Sequence, residues 1–311
     1  MQEMPNLYQR YYQLAENARI QSNYQDALFN FEKAYELKQT KEVVAHLVAL
    51  YYEQEDYNES LSLIQTHRSW FLSDADLFML YAKNLAALNN YLMIALAFQE
   101  LTQPIKNKCD DQIHQMLKIY ELMNSYKLNQ DVSKILLIAD QSVKNQLAYS
   151  NIAKRILPDM FTDVCQTVLK DSRLFEPIRT EWLSFLVQLD VAKEIEFVDV
   201  YGDLQTIIPK NNETFAVFSQ RCLSKYDLLC TEYQIEASLS GNLRQHLLVQ
   251  LGYLYPQISE HKWDIKTLIV ANFIQYDLLD ESTINLNKTN LQAVNKILSD
   301  IDKKMMRTLE K

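Results

Sequence analysis

Ser22-Asn23-Tyr24, Glu55-Asp56-Tyr57 and Asn89-Asn90-Tyr91 are three copies of one local pattern, their tyrosines 33 and 34 residues apart. Each triplet stands between apolar residues at helical spacing. Leu14, Ala15 and Ala18 precede the first, and Ala27, Leu28, Phe31 and Ala34 follow it. Around the second stand Leu47, Val48 and Tyr51, then Ser60, Leu61 and Ile64; around the third stand Tyr81, Ala82 and Leu85, then Ile94, Ala95, Phe98 and Leu101. Steps of three and four on both sides of a short polar turn predict a helix, a turn and a second helix, repeated with a period of about 34 residues. Small and large apolar residues recur on both sides of the turn, and the small ones let the two helices approach closely.

Over roughly residues 8 to 106 this pattern resembles the tetratricopeptide-repeat family. It departs from the family in carrying Ser22, Glu55 and Asn89 where Gly is favoured, and in closing no unit with Pro. The resemblance implies a right-handed superhelix that holds partners rather than doing chemistry, with the first helix of each unit lining a concave groove. The family's groove positions fall on Gln9, Tyr12, Gln13, Glu16, Arg19 and Ile20, on Glu42, Ala45, His46, Ala49, Tyr52 and Glu53, and on Asp76, Met79, Leu80, Lys83, Ala86 and Ala87. Among these, Tyr12, Glu16, Arg19, Glu42, His46, Tyr52, Glu53, Asp76, Met79 and Lys83 are the candidate partner-binding residues. The co-chaperone clamp for a carboxyl terminus is absent, because its Lys, Asn and Arg places hold Tyr12, Glu16, His46, Asp76 and Leu80. Four acids above a floor of Tyr, Ala, Met and Leu suit an amphipathic helix or an extended segment with basic residues. By the same resemblance Tyr24, Tyr57 and Tyr91 pack between adjacent units.

The 311 residues exceed one typical domain. Three glycines and six prolines, against usual shares of about 7% and 5%, exclude a fold with many tight turns and predict a mainly all-α protein. The formal charge of −9, with no dense Lys/Arg face, argues against nucleic acid and anionic membrane as partners. Cys109, Cys165, Cys222 and Cys230 form no Cys-x-x-Cys and read as reduced thiols. Met1-Gln2-Glu3-Met4-Pro5 lacks a basic region with an apolar run behind it, so a cytoplasmic protein is expected.

Beyond the third repeat, Asp110-Asp111 opens a helix whose face runs through Ile113, Leu117 and Tyr120 toward Met123. With a turn at Asn129-Gln130-Asp131 and a second helix carrying Val132, Ile135, Leu136, Ala139 and Val143, it predicts a degenerate fourth unit and an array over 1-145. Residues 146-311 then form a helical domain. Within it, Glu194 to Ile208 reads as a β-hairpin about Tyr201-Gly202-Asp203, with a bulge suggested by the change of parity between Phe197 and Val198. Asn211 and Asn212 are expected to cap a long helix ended by Ser240-Gly241, followed by helices around Leu243 to Tyr255 and Trp263 to Leu279. Leu291, Val294, Leu298, Ile301 and Met305 make a heptad-like stripe for docking on the body or across a homodimer.

No glycine-rich phosphate loop, no serine elbow and no His-x-x-x-His is present, so no cofactor, no metal and no catalytic residue is assigned. His46, His67, His114, His246 and His261 read as helix-surface residues. Glu194, Glu196, Asp199 and Asp203 form an acidic cluster, better explained as the exposed face of a strand than as a cation site or a carboxylate pair. The expected function is therefore a non-catalytic adaptor or scaffold. The alternative is a peptide-responsive regulator, and an enzyme using the hairpin carboxylates ranks last.

Overall fold

The computed structural model describes residues 7–256, 264–280 and 287–309, without the side chains at 237, 238 and 306–309. The amino-terminal pentapeptide, His261 and Trp263 lie outside the described residues. Among those residues the chain forms fifteen α-helices and one two-stranded antiparallel sheet, a mainly all-α protein with a small hairpin. It divides into two compact units, 1–128 and 129–311, so the division falls ahead of the boundary expected at residue 145.

In the first unit the helices come in pairs. They are α1 (Leu7–Ile20) with α2 (Tyr24–Leu37), α3 (Lys41–Glu53) with α4 (Tyr57–Thr66), and α6 (Ala75–Ala87) with α7 (Tyr91–Gln99). A five-residue helix, α5 (Arg68–Leu72), stands between the second and third pairs. Each pair turns in the same way. Ser22, Glu55 and Asn89 adopt left-handed backbone at φ 57, 61 and 58°. The amide of each bonds the carbonyl three residues back (Arg19, Tyr52, Ala86), and the next amide bonds the carbonyl five back (Ala18, Tyr51, Leu85). That double bond is the Schellman closure of a helix. Asn23 and Asp56 then cap the following helix by accepting from the amides of Asp26 and Glu59.

Left-handed backbone places Cβ against the following carbonyl oxygen, which costs a non-glycine residue about 1–2 kcal/mol. Glu55→Gly should therefore raise stability by about 1 kcal/mol, read as a higher urea midpoint with unchanged m. A destabilised variant would show that Glu55 makes a stabilising contact of its own at this turn.

Adjacent pairs are tied at intervals of one period. Tyr8 OH meets Thr40 Oγ1 at 3.1 Å, Tyr35 OH meets His67 Nε2 at 2.9 Å, Lys41 Nζ bonds Asp74 Oδ2 at 3.0 Å, and Arg68 bonds Glu100 at 2.7 Å. Beneath them the core runs from Ala15, Ala27, Phe31 and Leu47 to Val48, Ile64, Phe78, Tyr81 and Ile94. The triplet tyrosines differ among themselves. Tyr91 stacks on Tyr120 with ring centroids 3.4 Å apart, Tyr57 meets Tyr52 edge-on, and Tyr24 is exposed.

Helix α8 (Gln103–Ile135) departs from the expected fourth unit. Its backbone leaves helical geometry at Asn124 (φ −122°, ψ 17°), while Asn129-Gln130-Asp131 lies inside the helix. Nothing at Asn129 takes the positive φ that closes the earlier turns. Cys109, Ile113 and Tyr120 are buried as that face requires, but Met123 is exposed.

The second unit contains α9 (Val143–Ala153), α10 (Pro158–Val168), α11 (Glu176–Gln188), β1 (Ile195–Val198), β2 (Leu204–Ile207), α12 (Phe215–Glu232), α13 (Ala237–Leu254), α14 (Ile265–Gln275) and α15 (Lys288–Leu309). The strands pair in unbroken register from Ile195–Ile207 to Val198–Leu204. There is no bulge at the change of parity, because Val198 turns its amide to the Leu169 carbonyl at 3.0 Å. Thr214, not Asn211 or Asn212, caps α12. That helix runs to Glu232 and is closed by Gln234, in left-handed backbone at φ 55°, and Gly241 lies within α13. The stripe of α15 is occupied within the chain: Leu291, Val294, Ile297, Leu298 and Ile301 are buried and the helix packs on α13 and α14. Met305 is half-buried, and Lys304 reaches the Val200 carbonyl. A homodimer through this stripe would first have to undock it.

Candidate functional site

The candidate residues fall into three groups on the first helices of the pairs. Tyr12, Glu16, Arg19 and His46 form one network. Arg19 holds Glu16 through two bonds of 3.0 and 2.9 Å, and His46 Nε2 lies 3.5 Å from Glu16 and 3.3 Å from the Tyr12 hydroxyl. The His46 ring stacks on Phe31 at 4.8 Å, and Tyr12 meets Phe31 edge-on. Tyr12 and His46 thus complete the packing of the first two pairs, and His46 is not the surface histidine expected. His67, stacked on Trp70 at 4.4 Å, departs in the same way.

Electrostatics follow from that packing. Burial pushes the imidazole of His46 below its ordinary value, with Glu16 and Glu42 acting against the shift. Burial alone lowers His67. The bond from Arg19 holds the Glu16 carboxyl below the usual range, and burial with the Glu16 charge raises the Tyr12 phenol. A histidine depressed in the folded state binds its proton more readily when unfolded, so stability is complete above about pH 6.5 and falls as the pH drops through that value. Melting temperature should therefore decrease from pH 7 to pH 5.5, and His67→Asn should flatten that dependence. An equal slope in the variant would place its origin elsewhere.

The second group is Tyr52 and Glu53 at the end of α3, with Tyr52 half-buried against Tyr57 and Glu53 exposed. The third is Asp76 and Met79 on α6. They line a cavity of about 360 Å³ together with Asp74, Lys108, Cys109 and Gln112. Lys41 and the backbone amides of Leu77 and Asp76 hold the Asp74 carboxyl below its usual range, and burial raises the Cys109 thiol. Glu42 and Lys83 are exposed.

A larger cavity, about 910 Å³, lies in the second unit between α9 and α11 on one side and α12 and α13 on the other. Leu147, Ile178, Phe185, Phe215, Leu248 and Tyr253 give it apolar walls. Part of Glu181 reaches solvent, yet burial of its carboxyl raises the pKa against the Lys154 charge and the Ser150 hydroxyl at 3.4 Å. Nothing in the sequence marked it, because its walls come from four helices whose apolar residues read as ordinary core faces.

The acids of the hairpin do not act as a set. Glu196 pairs with Lys170 at 3.2 Å and Glu194 is exposed. Asp199 instead is buried and closes the hairpin turn, accepting from the amides of Tyr201 and Asp203 at 2.9 Å and from Gln205 at 3.1 Å. Among the described residues no group of three or more His, Cys, Asp or Glu is placed to hold a metal ion, and no helix is long and apolar enough to cross a membrane. No family model, no curated protein and no solved structure matches the chain.

Proposed function

We propose that the chain is a tetratricopeptide-type, non-catalytic adaptor of the cytoplasm that holds a segment of another protein along α1, α3 and α6. What supports this is the threefold recurrence of one helix pair, closed by one turn geometry and tied to its neighbour at one-period intervals. Such arrays present a row of equivalent helices to a partner. Glu42, Glu53 and Asp76 are exposed on those helices, and they favour a segment with basic residues beside apolar ones. Glu16 contributes less, since Arg19 already neutralises it.

Within the proposed groove Tyr52 is the anchor, and Tyr12 is reassigned to packing. Tyr52→Ala should weaken partner binding by about 2 kcal/mol and leave melting nearly unchanged. Tyr12→Ala should lower the melting temperature. Reversing Glu42 and Asp76 to Lys should slow association and flatten its salt dependence, because exposed charges act mainly on encounter. The partner used is the stoichiometric protein recovered by intact mass with the full chain. Recovery of a short peptide instead would favour the regulator, and full binding by folded Tyr52→Ala would move the contact surface off these helices.

A further inference from the structure

The larger cavity, in the second unit, has used nearly all the hydrogen-bonding capacity of its walls on the protein itself. Thr180 donates to the Gly252 carbonyl, Ser184 accepts from the Phe215 amide at 3.0 Å, and Ser219 donates to the Ala216 carbonyl at 3.2 Å. Asn151 donates to the Leu147 carbonyl and accepts from Lys154 at 2.8 Å. Ser150 accepts from the Trp182 indole, and its own bond to Glu181 is long, at 3.4 Å. That long bond is the hydrogen bond the Glu181 carboxyl receives. Among the described residues no cation touches it, because Lys154 is bonded to Asn151 and acts on Glu181 only at a distance.

The remaining wall is apolar and includes three aromatic side chains, Phe185, Phe215 and Tyr253. Leu147 and Val249, also in the lining, are exposed, so the cavity opens to solvent past an apolar rim. A volume of about 910 Å³ lies near the top of the range of about 300–1,000 Å³ found for small-molecule sites, which combine apolar walls with a few polar groups in the same way. We propose that this cavity binds a hydrophobic amine, with the ammonium on Glu181 and the apolar body against the aromatic wall. Two independent features select a cation. A carboxylate short of donors gains charge-assisted bonds from an ammonium, and aromatic faces attract positive charge. A carboxylate or phosphate ligand would find Lys154 but would bring its charge beside Glu181, where like charges repel.

The inference does not depend on the groove proposed above, and its test uses the full chain without a partner. The probes are naphthylethylamine, naphthylethanol and naphthylpropanoate, alike in body and different in charge. In calorimetry at neutral pH the amine should bind with a Kd on the order of 100 μM, the alcohol about tenfold more weakly, and the acid not measurably. Glu181→Gln should weaken the amine about tenfold, as loss of a charge-assisted bond does, and leave the alcohol unchanged. Gly252 lies in the cavity wall, where an added Cβ would meet nothing closer than the Phe215 ring at 3.9 Å. Because leucine favours a helix over glycine, Gly252→Leu should melt no lower than wild type, fill part of the cavity and abolish binding of both amine and alcohol. An amine that does not bind, or binds no better than the alcohol, overturns the inference, and so does an amine that Glu181→Gln leaves at full strength. Preferred binding of the acid would assign the cavity to Lys154 and overturn it equally. Full amine binding by folded Gly252→Leu would place the ligand outside this cavity.

Discussion

Trp182→Ala is expected to destabilise the second unit by about 3–5 kcal/mol, the range for removing a large aromatic from a packed core. Trp182 is wholly buried on α11, with Phe161 edge-on at 5.4 Å from the neighbouring α10. Its indole N–H donates to Ser150 Oγ at 3.3 Å on α9, so one side chain joins three helices. Typical domains are stable by about 5–15 kcal/mol, so the loss is at least about a fifth of that. Trp182→Phe keeps most of the ring volume and removes the donor, leaving the buried Ser150 hydroxyl with Glu181 as its partner, and should cost about 1–2 kcal/mol. Urea unfolding followed by far-ultraviolet circular dichroism measures both. A Trp182→Ala cost below 1 kcal/mol would mean that the three helices close without it.

The polar triplets were legible because a turn between two close helices needs both a residue that tolerates left-handed backbone and a cap, and Ser22-Asn23 and Glu55-Asp56 supply the pair in adjacent positions. Asn129-Gln130-Asp131 misleads because consecutive polar residues look the same as a turn even inside a long helix, where Asn129 and Gln130 are exposed and Asp131 is buried. The actual break, at Asn124, is a single residue whose side chain bonds the Tyr120 carbonyl at 3.1 Å. Gly241 misleads in a similar way. Glycine is the usual stop, but this chain closes α12 with Gln234, as it closes the repeat turns with Ser, Glu and Asn.

For the candidate site, spacing placed Tyr12, Glu16, Arg19 and His46 on one side of α1 and α3, where they meet. It did not tell a groove from a seam. That depends on Phe31, which reaches both rings from the second helix of the pair. Periodicity is equally silent about α8. Ile119, Leu122 and Met123 step as a core face does, and only the neighbours present in three dimensions show that they are exposed.

The α10–α11 connection is held by side chains that no motif announces. The buried guanidinium of Arg179 donates to the carbonyls of Asp171 at 2.8 Å and Leu174 at 3.3 Å and pairs with Glu176. From α9, buried Gln146 donates to the Arg173 carbonyl at 3.1 Å and accepts from the Phe175 amide at 2.7 Å. Backbone groups that leave water must find partners, and these two residues provide them over consecutive positions. Arg179→Leu strips the Leu174 carbonyl of its donor, leaves the Asp171 carbonyl with the Leu174 amide at 3.1 Å, and leaves Glu176 facing Lys304 at 3.7 Å, so it should cost about 3–5 kcal/mol, as breaking a buried pair does. Arg179→Lys keeps the charge but loses the planar fork and should cost less, about 1–2 kcal/mol. Gln146→Leu should cost about 2–3 kcal/mol through the unpaired Phe175 amide and Arg173 carbonyl. Because both residues hold the same segment, the double variant should lose clearly less than the sum, once either loss has let the connection open to water. Hydrogen exchange at the Phe175 amide gives a local readout, rising sharply in Gln146→Leu before global unfolding. Full additivity, with unchanged exchange at Phe175, would show that the two residues stabilise their own helices and not the connection between them.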